Sequence, residues 1–461
     1  MENGNGKELK RSLSSFQMEM IALGGTIGVG LFMGSASTIK WTGTSVLLAY
    51  ILAGLVLYIV MRALGEMLYV KPIVGSFANY ATEYIHPVAG YLTVWANVFQ
   101  WLTVGISETI AVGDYMHYWW PGVPTWVTGV IVLILLTLTN LVTVKAYGRL
   151  EAWFSLVKVL TIVFMIILGL LMILFGFGNH GHAIGFSNLW AHGPFFAHGI
   201  KGFMFALSIV VTSYQAIEII GITAGEAENP QEAIVKSIKS IVARILIFYV
   251  GAIFVIITIY PWNHLDTVGS PFVETFAKVG ITAAAGIINF VMLTAATSAL
   301  NSGLFSSSRM LYTLAQQKEL PPVFLKLSKN RVPDVSVMAM SLGILVGIII
   351  NGVLPLFWKG SANIFVLVYS ASTLPGMVPW FVILISQIKF RRENPDLMKG
   401  HPFKLALSPW SNYFAILFLI MTLVFMVINP DTRVPLAIGF GFLAFMAAFY
   451  FWTHRGKQVE K

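Results

Sequence analysis

The stretch Ile21-Ala22-Leu23-Gly24-Gly25-Thr26-Ile27-Gly28-Val29-Gly30-Leu31-Phe32-Met33-Gly34 decides how this chain is built. It is apolar enough to lie in a bilayer, yet five of the eleven residues from 24 to 34 are glycine. Each glycine weakens a helix by about 1 kcal/mol relative to alanine. Gly24/Gly28 and Gly30/Gly34 also fit G-x-x-x-G, so one reading is close packing of helix on helix. The other is a helix unwound near mid-membrane. Free N–H groups at the start of its outer half would then hold an anion such as a carboxylate, and freed carbonyls would hold an ammonium.

Composition supports the membrane setting. The 461 residues are 57% hydrophobic and only 11% charged, with a mean hydropathy of +0.78. Soluble domains carry about 25% charge. That excludes an ordinary soluble enzyme, a coiled coil, a disordered chain and a secreted disulfide scaffold. The absence of cysteine excludes thiol catalysis and Cys-ligated zinc.

Reading outward for apolar runs of about 20 residues gives about twelve transmembrane helices. They cover roughly 16–37, 43–69, 88–115, 123–142, 152–175, 199–223, 234–260, 281–314, 335–352, 362–390, 412–428 and 434–453. A transmembrane barrel is excluded, because its strands alternate over about ten residues and these runs do not. With the N-terminus inside, 23 of the 29 Lys and Arg fall in cytoplasmic segments. Lys40, Lys201, Lys278, Lys359 and Arg433 lie outside, and Lys158 alone falls inside a span. This asymmetry predicts a multi-pass protein with both termini cytoplasmic. It also makes the +9 net charge an orientation signal, which argues against a nucleic-acid partner. Residues 1–15 are polar and the first span has no A-x-A site, so no cleaved leader is expected.

The sixth span repeats the anomaly of the first. Polar Thr212-Ser213-Tyr214-Gln215 interrupts it near its middle, and Glu218 follows one turn later. By the charge pattern it runs antiparallel to the first span. Two interrupted helices at matching places of inverted halves point to a secondary transporter site. The expected organisation is a tail (1–15), a first repeat of five helices (16–176), an outer loop (177–198), a second repeat of five helices (199–390), and helices eleven and twelve with a tail (391–461).

Four motifs carry a family resemblance: Ala22-Leu23-Gly24-Gly25-Thr26-Ile27-Gly28-Val29-Gly30-Leu31-Phe32, Met61-Arg62-Ala63-Leu64-Gly65-Glu66-Met67, Gly221-Ile222-Thr223-Ala224-Gly225-Glu226-Ala227-Glu228-Asn229-Pro230, and Pro321-Pro322-Val323-Phe324 with Val332-Pro333. In this order they resemble bacterial amino-acid permeases of the amino acid–polyamine–organocation superfamily, nearest the branch with proline and threonine/serine permeases. The resemblance implies an all-α, LeuT-like fold with a five-plus-five inverted repeat, and helices one and six broken. It implies proton-coupled uptake of small neutral amino acids such as threonine, serine, alanine or proline, across a bacterial cytoplasmic membrane. It also implies function as a monomer, with no cofactor beyond the coupling proton. Substrate-binding candidates are Gly25, Thr26, Ile27, Gly28, Val29 and Gly30 on the first break, Thr212, Tyr214 and Gln215 on the second, and Glu108 on the third span. Many members of that family have glycines at the sixth-helix break; here Tyr214-Gln215-Ala216 stands there, so Gln215 reshapes the pocket.

Charges inside a bilayer cost ~2.5–3.5 kcal/mol at a helix centre, so a role is the default reading. The fifth-span lysine of the resembling family stands where sodium-coupled cousins hold a sodium ion. That implies Lys158 as the proton-coupling residue, bridging helices one, five and eight with Thr297 and Ser298 as contacts. The plainer reading is a lysine snorkelling to the interface. Glu218 reads equally as a proton relay or as a hydrogen-bond hub for the unwound backbone. Glu108 reads as a selector of the substrate side chain, a proton acceptor or an outer ion pair. Arg62 and Glu66, four apart, can pair on one helix face. His180, His182, His192 and His198 share the outer loop without ligand spacing, so no metal is expected. No G-x-S-x-G or H-E-x-x-H is present, which argues against an enzyme. An amino-acid exchanger and a nutrient sensor on a transporter fold remain the alternatives.

Overall fold

A computed structural model describes residues 13–28, 31, 34–73, 75–227, 230–267, 284–357 and 364–455. The helices of the first half are α1 (Ser15–Thr26), α2 (Gly34–Thr42), α3 (Val46–Val70), α4 (Ser76–Tyr84), α5 (Pro87–His117), α6 (Thr125–Val142) and α7 (Val144–Phe175). The second half has α8 (Gly199–Tyr214), α9 (Ile219–Ala224), α10 (Pro230–Ile259), α11 (Ala284–Gln316), α12 (Asp334–Phe357), α13 (Ile364–Ala371) and α14 (Thr373–Glu393). Two further helices follow, α15 (Trp410–Ile428) and α16 (Pro430–Thr453). The one extended pairing among the described residues is the isolated bridge between Leu13 and Ala227.

Nine helical stretches among the described residues are long and apolar enough to cross a membrane. Backbone groups find no water in a bilayer, so helices that satisfy their own hydrogen bonds are the form such segments take. Burial sorts them by position. In the stretch from α8 through α9, 83% of the apolar window is buried, against 28% in α16. The sixth span is therefore central and α16 peripheral. Large apolar side chains cover the outer helices, including Ile131, Leu135 and Leu138 on α6 and Leu417, Val424 and Val427 on α15. In a soluble protein such faces would aggregate; here they are the surface for lipid. At the centre α5 packs on α11, where Gly303 faces the ring of Trp101; a Cβ there would lie 2.6 Å from Trp101 Cε3.

Both interruptions expected from the sequence are present. The first span leaves helical geometry after Thr26, at Ile27 and Gly28, and is helical again at Leu31; the sixth stops at Tyr214 and resumes at Ile219. Three features differ from the sequence reading. The fifth span begins at Val144, well before residue 152, because Thr143 caps it by accepting from Ala146 N at 3.0 Å. The tenth span is divided around Ser372 into α13 and α14, next to Pro375 and Gly376. Arg62 and Glu66 do not pair. Glu66 instead accepts from Arg391 Nε (2.5 Å) and Nη2 (2.6 Å), Gln387 Nε2 (2.9 Å) and Leu405 N (2.7 Å). Arg62 donates to Lys404 O at 2.6 Å and stacks on Phe403, 3.7 Å from the ring centroid. Helix spacing permitted the i,i+4 pair, but the end of α14 and the loop after it supply better partners.

Candidate functional site

The two breaks enclose one small cavity. From the first break it takes Gly25, Thr26 and Gly28; from the second, Thr212, Ser213, Gln215 and Ala216. Gln100, Trp101, Val104 and Glu108 of α5 form another wall, closed by Ala299 of α11 and by Tyr369 and Ser372 at the break of the tenth span. Its volume is about 30 Å³ by water centres. That is room for two or so waters.

Local backbone explains each wall. The last turn of α1 closes with Ile27 N on Leu23 O, after which Ile27 turns out of helical geometry (φ −83°, ψ 81°). At the second break Gln215 is extended (ψ 167°) and Ala216 takes φ +79°, a left-handed conformation that costs an L-residue energy. Glu218 holds that strained turn: its Oε1 accepts from Ala216 N (3.3 Å) and its Oε2 from Trp380 Nε1 (3.0 Å). The carboxylate thus bonds the unwound backbone directly. Gln215 Nε2 donates to Thr373 O (3.0 Å) and Thr212 Oγ1 to Thr373 Oγ1 (2.9 Å), which ties the sixth-span break to the tenth-span break.

Lys158 is fully buried. Its Nζ donates to Gly24 O at 2.5 Å and to Ser298 Oγ at 2.8 Å. One ammonium therefore joins the end of α1, α7 and α11, which removes snorkelling as its role. A Cβ on Gly24 would strike Ser155 Oγ and Glu151 Oε1, so only glycine fits at this approach.

Several sequence candidates lie elsewhere. Ile27 is buried in the apolar core and outside the cavity lining. Tyr214 points away from the cavity; its hydroxyl donates to Tyr50 O (3.2 Å) and its ring packs on Tyr50 and Tyr249. Thr297 is not a contact of Lys158: its hydroxyl donates to Leu293 O, because one residue along a helix turns a side chain by about 100° and only Ser298 faces α7. Val29 and Gly30 lie outside the described residues. His192 bonds Asn188 in the loop. Among the described residues no group of His, Asp or Glu could hold a metal ion.

Two residues escaped sequence reasoning. Tyr249 of α10 places its hydroxyl 2.7 Å from both Thr26 O and Ser213 O, so one phenol spans the two breaks. Glu151 of α7 is fully buried and accepts from Ser298 Oγ and from Asn301 Nδ2 (2.9 Å). The span expected from the sequence, 152–175, leaves it out because the helix starts earlier, at Val144. The signal was its spacing: seven residues from Lys158 is two turns, the same face of the helix.

The sequence profile of the family described as "Amino acid permease" matches residues 17–453. A Bacillus subtilis (strain 168) protein named "Probable threonine/serine transporter YbxG" is 55% identical over 98% of this chain and 97% of its own length. The "D-serine/D-alanine/glycine transporter" of Escherichia coli O6:H1 is 37% identical over 98% of this chain and 95% of its own. Among solved structures, that of the Eremococcus coleocola manganese transporter covers 95% of this chain and 93% of its own, with a TM-score of 0.63 and 13% identity. At that identity the likeness concerns the fold, which is LeuT-like.

Proposed function

Since the chain belongs to the amino acid permease family, we propose that it imports small neutral amino acids of the threonine, serine, alanine or proline class by proton symport with alternating access. The observation that carries this reading is the meeting of two helix breaks at one buried cavity, with the Lys158 ammonium clamped on the carbonyl of Gly24 beside it. Backbone groups freed at the breaks suit the carboxylate and ammonium that every α-amino acid carries. Thr212, Gln215 and Glu108, which line the same cavity, then meet the side chain. The name of the B. subtilis relative supports the threonine/serine class. The protein acts as a monomer in a bacterial cytoplasmic membrane with both termini inside, the orientation its basic residues encode.

Protonated Lys158 holds α1 against α7 and α11. Loss of its proton weakens that clamp and frees the broken helix to move, which couples proton and substrate. The test is uptake into proteoliposomes with and without an imposed proton gradient, across a panel of amino acids. Gradient-driven accumulation of threonine or serine is expected, and Lys158→Ala abolishes it. Accumulation by Lys158→Ala against a gradient, with unaltered pH dependence, refutes the assignment.

A further inference from the structure

Glu151 stands outside the cavity lining, yet it shares a hydroxyl with the coupling lysine. Lys158 Nζ donates to Ser298 Oγ at 2.8 Å, and Ser298 Oγ donates to Glu151 Oε1. Both ionisable side chains and the serine are fully buried. The other carboxylate oxygen is fixed by Asn301 Nδ2 (2.9 Å), whose own Oδ1 accepts from Asn140 Nδ2 (2.8 Å). These amides aim Oε1 at Ser298 and cannot themselves relay a proton, so the branch ends there.

Resting on the proton-coupled reading above, we infer that Glu151 is a second protonation site, which takes the proton leaving Lys158 through the hydroxyl of Ser298 and releases it at the face where Leu13 meets Glu226. The transfer balances. An Nζ–H bond of the ammonium breaks as a bond from that hydrogen to Ser298 Oγ forms. The original Ser298 O–H bond breaks as its hydrogen bonds to Glu151 Oε1. An ion pair becomes a neutral pair, and no lone charge is left in the low-dielectric interior, the state such a site tolerates least.

Position supplies the direction. Glu151 is two helical turns, about 10 Å, nearer the start of α7 than Lys158. One turn further on the same helix Tyr147 stacks on Phe305 of α11, and beyond it Arg309 binds Glu226, whose carbonyl accepts from Leu13 N. The ionisable groups facing Glu151 are Lys158 and Tyr147 on its own helix, and the Arg309–Glu226 pair faces Tyr147 in turn; α11 presents Ser298, Asn301 and Ser302, α6 presents Asn140, and α1 presents Gly24. When the Leu13–Glu226–Arg309 contact opens, water reaches Glu151 before it reaches Lys158.

The test compares gradient-driven accumulation with substrate counterflow, which needs no net proton movement, in proteoliposomes of the full chain. Glu151→Gln keeps the size and can keep both hydrogen bonds, but cannot take a proton. The ratio of accumulation to counterflow is expected to fall about tenfold or more, within the range of a lost proton-transfer group. Ser298→Ala, which removes the bridge and leaves both ionisable groups, is expected to lower the same ratio. An unchanged ratio in either folded variant overturns the inference, as does an equal loss of accumulation and counterflow in both, which marks a structural role. Failure of the parent protein to use a proton gradient sinks the proton-coupled reading itself; a coupled parent with unaffected variants sinks only the role of Glu151.

Discussion

The ion pair between Arg309 and Glu226 is the contact most exposed to test. Its Nε–Oε1 distance is 2.9 Å and its side chains are 1% and 0% accessible, so both charges have lost their water. The return is incomplete. Arg309 Nη2 and Glu226 Oε2 have no hydrogen-bond partner among the described residues, while Nη1 reaches Ser308 Oγ (3.0 Å) and the guanidinium lies 3.8 Å above the Phe305 ring. Removing one partner of a buried pair costs ~3–5 kcal/mol, because the other charge is stranded. Arg309→Met and Glu226→Gln should each cost ~3 kcal/mol, the lower end, since one direct bond is lost rather than a two-bond fork. Replacing both should bring stability back to within ~1 kcal/mol of the parent. The pair closes the N-terminal face, so part of each single loss should appear as opening rather than unfolding. At 1.4 kcal/mol per tenfold, ~3 kcal/mol sets an upper bound of about a hundredfold on that shift. The chain has no cysteine, so a single Ser302→Cys, buried between Tyr147 and the first break, reports opening by its maleimide labelling rate. Denaturant unfolding in mixed micelles gives the stabilities. A double variant no more stable than the worse single, with labelling of Glu226→Gln unchanged, refutes the reasoning.

Three further outcomes are expected. A Cβ on Gly25 would meet Ser302 Cβ at 3.7 Å and Ala216 Cβ at 3.9 Å, so Gly25→Ala should fold but shrink the cavity. Its Kd for substrate should rise about tenfold or more, and an unchanged Kd by thermal-shift titration places the substrate elsewhere. Trp380→Phe strips Glu218 Oε2 of its 3.0 Å indole donor inside the bundle and should cost ~1–3 kcal/mol; an unaltered Tm removes Glu218 as the hub of the second break. His401, in the loop after α14, is buried with Nε2 on Glu66 O (3.1 Å) and Nδ1 accepting from Phe403 N (3.1 Å), a neutral arrangement. Burial holds its pKa below the usual 6.5. Its contribution is therefore full above that value and lost as pH falls through the lower folded-state value. The Tm should drop between pH 7.5 and 5, by less in His401→Gln; an equal drop in both refutes it.

Reading from the sequence went furthest where the bilayer imposes a pattern along the chain. Apolar run length, the side on which Lys and Arg collect, and the glycines of residues 24–34 are all local signals. They were enough for the spans, their alternation and the first break. Polar Thr212 to Gln215 marked the second. Even Lys158 announced itself, since a charge that topology does not need is conspicuous in a span. The tenth-span division has a local signal in Ser372-Thr373-Leu374-Pro375-Gly376, and Glu151 shows its place only through its seven-residue spacing from Lys158.

Which neighbour each side chain meets was another matter. Helix spacing allowed Arg62–Glu66, Thr297 on Lys158, and Tyr214 in the pocket; packing chose Arg391 for Glu66, Ser298 for Lys158, and an aromatic cluster for Tyr214. Those choices depend on the rotation of one helix against another, a quantity fixed by the fit of every side chain between them and carried by no single stretch of sequence. The sequence by itself determined that the chain spans a membrane and where its helices break. Only the tertiary structure brought Gly24, Glu151, Lys158 and Ser298 together, because four residues spread from position 24 to position 298 meet only once the helices have packed.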